Sequence, residues 1–507
     1  MYLVINLGLK SIRGIIFSER NDQVYSSAYP VHTTLFNEKV EQDPHEWQVL
    51  LDRIFLDIKN KTDLSSGIEY VTVTTSSSCI LGLNEEGEPV TPVMMVSDKR
   101  AASISIEISS DHNFITASER FGLTCPASSL IPKALWYRRN DIQKFNRTRW
   151  WLGAGEYLSY LITGDIYTDP LNASKSFYAG GQYHFELLDQ YGIDIQTLPP
   201  VVSIGSVYEV NGDVVHRYGL PQNCQFIVST YDAICAVLGS SNGDGSNACD
   251  VSGTVTSVRV LTERQDIKSS GALLNQKIDP FNRTLVGSSN NLGGGIIEWY
   301  KQAFFQEGDK DVYQKLENAA LKCKPGADGL IFLPYLLGER APFVNPNATA
   351  SFFGIRRQSN ESHFARAVFE STAFVSKDLL DLISSSGIEL SSLTVSGGLA
   401  RFDLINQIKA DVSGLPVNVV ENFESTSIGA LVVLKLSIGH YNNLTEALSD
   451  LVKIRKVIHP STKNNLLYDN MFQLYKDLNG SLESSYLANM KIQEGSKGHQ
   501  NETVQNL

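Results

Sequence analysis

No Cys-x-x-Cys pair and no Cys/His cluster occurs in this chain. That removes the usual signatures of zinc sites and dithiol redox centres. The six cysteines, Cys79, Cys125, Cys224, Cys235, Cys249 and Cys323, are scattered, which predicts reduced thiols in a cytoplasmic protein. Positive charge is also short: 43 Lys and Arg stand against 55 Asp and Glu, for a net charge of -12. Non-specific nucleic-acid binding needs the opposite balance, because Lys and Arg must displace counterions. The acidic surplus still allows local basic sites for phosphate, and otherwise serves solubility. No apolar run is long enough to span a bilayer. The opening residues, Met1-Tyr-Leu-Val-Ile-Asn-Leu-Gly, carry no basic leader and turn polar at once. They predict a first strand and not a signal peptide.

What is present is globular: 42% hydrophobic and 19% charged residues over 507 positions. That length predicts roughly two to four domains. Strands and helices in mixed order predict an α/β protein. The pattern is organised around Ser229–Gly239. Phe226-Ile227-Val228 predicts a buried strand, and small and apolar residues at helical spacing follow Asp232. A carboxylate at a strand-to-helix turn stands where ligands approach an α/β sheet. There Asp232 can act as a general base toward a hydroxyl. Taken alone, the stretch better suits an ordinary helix N-cap.

Tyr2–Ile5 and Gly14–Phe17 predict two strands joined at Gly8. Such a hairpin can aim backbone N–H groups at an anion, with Lys10, Ser11 and Arg13 as added donors. It can also be a plain β-hairpin. Asp43 and Pro44 suit the N-cap and first position of a helix whose Trp47, Leu51, Ile54, Phe55 and Ile58 recur at helical period. The strand Val71–Thr74 ends in Ser76, Ser77 and Ser78, whose hydroxyls suit a polyol or the loop's own backbone.

The Gly-, Ser- and Asn-rich stretch 239–245 predicts a domain junction. It divides the chain into domains 1–242 and 243–478, with a polar tail 479–507 expected to fray. Beyond the junction, Gly253 and Thr254 sit at the bend of a second polar hairpin that leads into Val258–Leu261. Two such hairpins facing across a cleft can clamp a triphosphate through backbone N–H groups. Gly294 and Gly295 precede a helix carrying Glu298, which suits close approach to an anion, or simply a turn. A long amphipathic helix is predicted from about Ser362, with Phe364, Val368, Phe369, Val375, Leu379 and Ile383 on one face. Gly397, Gly398 and Leu399 follow the strand Leu393–Ser396, an arrangement common at nucleotide sites.

From residue 2 to about 460 these segments resemble the FGGY family of carbohydrate kinases. Phe353-Gly354-Ile355, a spacer and His363–Glu370 look like the second family signature. Ser396–Ala400 with Asn406, Gln407, Ala410 and Asp411 resembles the adenosine motif, and Ser252-Gly253-Thr254 the second phosphate loop. Gly338-Glu339-Arg340-Ala341-Pro342 looks most like the gluconate and xylulose kinase branches.

The resemblance implies two actin-like (ribonuclease H-like) domains with a ligand cleft between them, ATP and Mg²⁺ as cofactors, and phosphorylation of a sugar, polyol or sugar acid. Asp232 falls at the family's catalytic base and, with Asn6, at its magnesium position. Val96 and Asp98 fall beside the acceptor with Ser76, and a homodimer would be in keeping. Several positions depart from the pattern. Asn6 and Leu9 stand where the first loop usually carries Asp and Thr, Ser76 replaces Gln, Val96 replaces Trp, and Thr230 replaces Gly. These departures give a second expectation, a non-catalytic homologue that binds sugar or nucleotide as a regulator. An actin-like filament or chaperone shares the implied fold, but the second signature and adenosine motif speak against it.

Overall fold

The computed structural model describes residues 1–267, 272–305 and 311–493. Contacts divide the chain into two compact units, Met1–Gly239 with Thr426–Ala447, and Ser240–Ser425 with the segment from Leu448 onward. A single boundary at 242 therefore does not describe the packing, because 426–447 returns to the first unit. The helix Ser425–Ser437 is the reason. A Cβ on its Gly429 would lie 1.7 Å from the Cys235 carbonyl, so this helix packs backbone to backbone on the helix Asp232–Leu238.

Among the described residues, the first unit is built on a six-stranded sheet. Its order is Val207–Glu209, Gln225–Ile227, Tyr70–Thr75, Tyr2–Leu7, Ser11–Phe17 and Gln23–Pro30. Tyr2–Leu7 runs antiparallel to Ser11–Phe17 and parallel to Tyr70–Thr75, with Leu7 opposite Thr75. Gln225–Ile227 is parallel to Tyr70–Thr75. The segments following Leu7, Thr75 and Ile227 therefore leave one edge of the sheet, the carboxyl edge, where α/β proteins bind ligands. The predicted helix spans Pro44–Lys59, capped by Asp43, which accepts from the His45 amide at 2.9 Å. Its Trp47, Leu51, Ile54, Phe55 and Ile58 are buried, as their spacing predicts.

The second unit repeats the plan on a sheet with seven described strands. Asn247–Ser252 is antiparallel to Thr256–Thr262 and parallel to Ser392–Ser396, with Val251 opposite Ser396. Gly253 and Gly397 thus leave the same edge. The long helix spans Glu361–Ser385 behind an Asn360–His363 capping box. Residues 483–493 are helical where fraying is expected, because Tyr486 is buried in this unit's core. Residues 494–507 of the expected tail lie outside the described residues. Among the described residues, no helix is long and apolar enough to cross a membrane.

Candidate active site

In the first unit the site grows from the ends of three neighbouring strands. Ser76 follows Tyr70–Thr75 directly, and its amide donates to the Leu7 carbonyl at 3.0 Å. Its hydroxyl donates to Asp232 Oδ2 at 2.9 Å. Asp232 is the first residue of the helix Asp232–Leu238, and the N-cap position belongs to Tyr231. The cap reading of Asp232 is thereby corrected. The carboxylate is half-buried and accepts the Ser76 hydroxyl, at the edge where the Gly8 turn also emerges. A hydrogen-bonded carboxylate beside open backbone is suited to accept a proton from an alcohol.

The turn after the first strand is tight. The Gly8 amide donates to the Ser11 carbonyl at 3.0 Å. A Cβ on Gly8 would meet only that carbonyl, at 3.8 Å, and its φ is not positive. Nothing within the fold requires glycine there. Lys10 is exposed, and Ser11 and Arg13 begin the next strand half-buried. Asn6 is buried, and its amide donates to Ser427 Oγ at 3.5 Å.

The remaining acceptor-side candidates divide. Ser77 is half-buried, and Ser78 sits in the left-handed region at φ 62°. That conformation is uncommon for a residue other than glycine, and Lys133 accounts for it. This fully buried ammonium donates to the Ser78, Met94 and Met95 carbonyls at 2.7, 3.1 and 2.8 Å. Burial lowers its pKa to about 8. Val96 packs half-buried against the apolar core. Asp98 needs correction as a substrate contact, because its carboxylate is spent on the protein. It accepts from the Val40 and Arg100 amides at 2.9 and 3.1 Å and from the Arg100 guanidinium at 2.8 Å. Arg100 also reaches Glu41 at 2.6 Å and lies over the Trp136 ring.

In the second unit three glycine segments converge. The tip Gly253–Thr254 is exposed, and a Cβ on Gly253 would meet nothing within 4 Å. The Gly294 and Gly295 amides donate to the Gly253 and Thr254 carbonyls at 2.8 and 3.2 Å. Those two glycines were expected to offer N–H groups to an anion. They instead seat the hairpin tip, and a Cβ on Gly294 would stand 2.4 Å from the Gly253 carbonyl. Gly397, at φ 81°, brings the adenosine-like motif against the Ser252 carbonyl, where a Cβ would lie at 2.8 Å. Gly398 is exposed at that edge, and Leu399 is buried beneath it. Glu298 lies apart, bonded to Lys301 and Tyr313 at 2.7 and 2.6 Å. It is thus a surface partner rather than a phosphate contact.

The groups that support the site are not evident from sequence. Asp250 is fully buried and holds Lys409 and Ser376, at 2.5 and 2.6 Å, just before the hairpin tip. Ser252 donates to the same carboxylate and receives Lys409 at 3.1 Å. Buried charges of this kind persist when paired and hydrogen-bonded. The strand Asn247–Ser252 reads Asn-Ala-Cys-Asp-Val-Ser, so Asp250 is one of three polar residues in it and does not stand out. In the second signature, Arg366 and Glu370 form a buried pair at 2.7 Å that Tyr468 closes. They brace the helix and are turned inward.

Comparison with known proteins gives matches along nearly the whole chain. Residues 1–239 match the N-terminal domain model of the FGGY family of carbohydrate kinases, and residues 251–436 match its C-terminal domain model. The chain is 24% identical to a xylulose kinase from Lactococcus lactis subsp. lactis, covering 94% of this chain and 96% of that one. It is 23% identical to a gluconokinase from Bacillus subtilis, covering 97% and 98%. A ligand-bound xylulose kinase structure from Lactobacillus acidophilus superposes with a TM-score of 0.86 at 24% identity, over 96% of this chain and 99% of that one. A Plasmodium falciparum glycerol kinase structure with ADP gives 0.83 at 21%, over 94% and 98%. These structures share the two-domain actin-like fold, and with both domain models matched the chain belongs to the FGGY family of carbohydrate kinases.

Proposed function

We propose that this carbohydrate kinase transfers the γ-phosphoryl group of Mg-ATP to a hydroxyl of a sugar, polyol or sugar acid, with Asp232 accepting the hydroxyl proton. The observation that carries the reading is the Ser76–Asp232 hydrogen bond, 2.9 Å long, at the carboxyl edge of the first sheet. Ser76, Ser77 and Ser78 supply hydroxyls on the acceptor side. On the nucleotide side, the two hairpin tips fit phosphate oxygens, since Gly8 and Gly253 leave unfilled the space of a side chain. Lys10, Ser11, Arg13 and Thr254 are the donors nearest to those tips in the chain, and Gly397, Gly398 and Leu399 border the nucleoside. Among the described residues, no group of three metal-ligating side chains occurs. Mg²⁺ would therefore be held mainly by nucleotide oxygens and water, with Asp232 and Asn6 as the protein's share. When bound, the ion neutralises phosphate charge in a reaction governed by positioning and charge stabilisation. The six cysteines, all buried and unpaired, suit a cytoplasmic enzyme.

Relatives named for xylulose and gluconate make a ketopentose and an aldonic acid the first acceptors to try. The test is ADP release with Mg-ATP over pentuloses, hexuloses, polyols and sugar acids. A productive acceptor should lose about 100-fold or more in kcat with Asp232→Asn. Turnover that survives this substitution unchanged removes Asp232 from the chemistry. Ligand binding without turnover across the panel would favour the regulatory homologue.

A further inference from the structure

The nucleotide-side hairpin tip does not stand alone. Its Gly253 and Thr254 carbonyls are held by the amides of Gly293–Gly295, with Gly293 donating to Thr254 at 2.8 Å. That glycine run continues from a short segment, Ser289–Asn291, whose backbone is fixed from outside the sheet. Glu339 Oε1 accepts from the Asn291 amide at 3.1 Å and from the Arg340 amide at 2.8 Å. The Arg340 guanidinium donates to the Ser289 and Asn290 carbonyls, both at 2.9 Å. The Asn290 side chain then joins the two sides of the tip. Its Oδ1 accepts from the Thr256 amide at 2.8 Å, and its Nδ2 donates to the Leu292 carbonyl at 2.7 Å.

We propose that Glu339 is a positioning residue for the nucleotide: with Arg340 it fixes Ser289–Asn291, and through Asn290 and the glycine run it sets the Gly253–Thr254 tip. This inference rests on reading that tip as a phosphate loop. Glu339 is only 5% exposed, and no part of the proposed chemistry uses it. A carboxylate so buried is costly unless it makes hydrogen bonds; it accepts from the amides of its own next residues, Arg340 and Ala341, and from the Asn291 amide, which belongs to the backbone that leads to the tip. The guanidinium adds two carbonyl contacts from its rigid fork, which a flexible ammonium does not reproduce.

The test is the affinity of the full-length protein for MgADP, by calorimetry, in wild type and four variants. Glu339→Ala removes the acceptor oxygen and should weaken MgADP about tenfold, the cost of leaving buried donors unmet. Glu339→Gln keeps an acceptor oxygen and should return the affinity to within about threefold of wild type. Recovery by Gln separates positioning by hydrogen bonds from a need for charge or bulk. Should Glu339→Ala not fold, Glu339→Asp, which withdraws the oxygen by one methylene, is expected to show the same weakening. Gly253→Val tests the underlying reading, since its side chain has room in the fold but intrudes on the phosphates. MgADP affinity unchanged in Gly253→Val overturns the phosphate-loop reading and the inference with it. Affinity lost in Gly253→Val but unchanged in Glu339→Ala overturns the inference alone, as does a Gln variant as weak as the Ala variant.

Discussion

Thr230 Oγ1 donates to the Asp169 carboxylate at 3.0 Å, two residues before Asp232. Asp169 is buried at the N-cap of a short turn of helix, where it also accepts from Leu171 and Asn172. The hydroxyl of Thr230 thus ties the turn that leads to Asp232 to the core. Thr230→Val should lower kcat about tenfold and stability by about 1 kcal/mol, since one buried donor is lost and its acceptor keeps other partners. Steady-state kinetics with denaturant unfolding reads both. Unchanged kcat would show that the tie serves the fold alone.

A second buried carboxyl, Glu156, accepts from Thr168 at 2.5 Å and shares a small cavity of about 30 Å³ with Asp169 and Thr230. Burial raises its pKa from 4.5 to about 7. The unfolded chain therefore releases this proton at lower pH than the native protein. The stabilising share of Glu156 is complete below pH 4.5 and is lost as pH rises through about 7. The interval corresponds to about 3 kcal/mol. Glu156→Gln should flatten the difference in unfolding free energy between pH 5 and pH 8. A slope equal to that of wild type would remove Glu156 as its source.

Gly8 and Gly253 are glycine without a conformational need, since neither has positive φ and neither crowds a neighbour. Gly8→Val and Gly253→Val should each leave the unfolding temperature within a few degrees of wild type. Each should weaken MgATP at least about tenfold, because the new side chain displaces phosphate from its productive place. Calorimetric binding and a thermal melt decide between this and a purely structural glycine.

Gly429 is the opposite case, because a Cβ there would run into the Cys235 carbonyl. Gly429→Ala must move the helix Asp232–Leu238 and should cost about 1–3 kcal/mol. It should also lower kcat more than it weakens MgADP, since the shifted helix carries Asp232. Equal losses in both would argue that the damage is global.

Lys133→Met should destabilise by about 3 kcal/mol or more, as three buried carbonyls lose their donor. Because those carbonyls belong to Ser78 and to the Met94–Met95 segment, acceptor KM should rise while KM for MgATP stays within about twofold. A shared rise in both constants would contradict an acceptor-side role.

What the sequence by itself determined was local. The Asp43 cap, the spacing of Trp47 to Ile58, the glycines at the hairpin bends and the strand before Asp232 all act within a few residues. A chain folding under those short-range preferences has little choice about them. The matched motifs also made the family and its two-domain plan legible. Tertiary structure alone decided which polar groups face a ligand. Asp98 looked available until the Arg100 guanidinium and the Val40 amide took its carboxylate. Gly294 and Gly295 looked like an anion cradle until the Gly253–Thr254 carbonyls took their amides. Asp250 meets Lys409 across 159 residues, and Thr230 meets Asp169 across 61. A buried polar group must be satisfied by whatever partner the fold brings near, and that partner's distance along the chain leaves no periodic trace in the sequence.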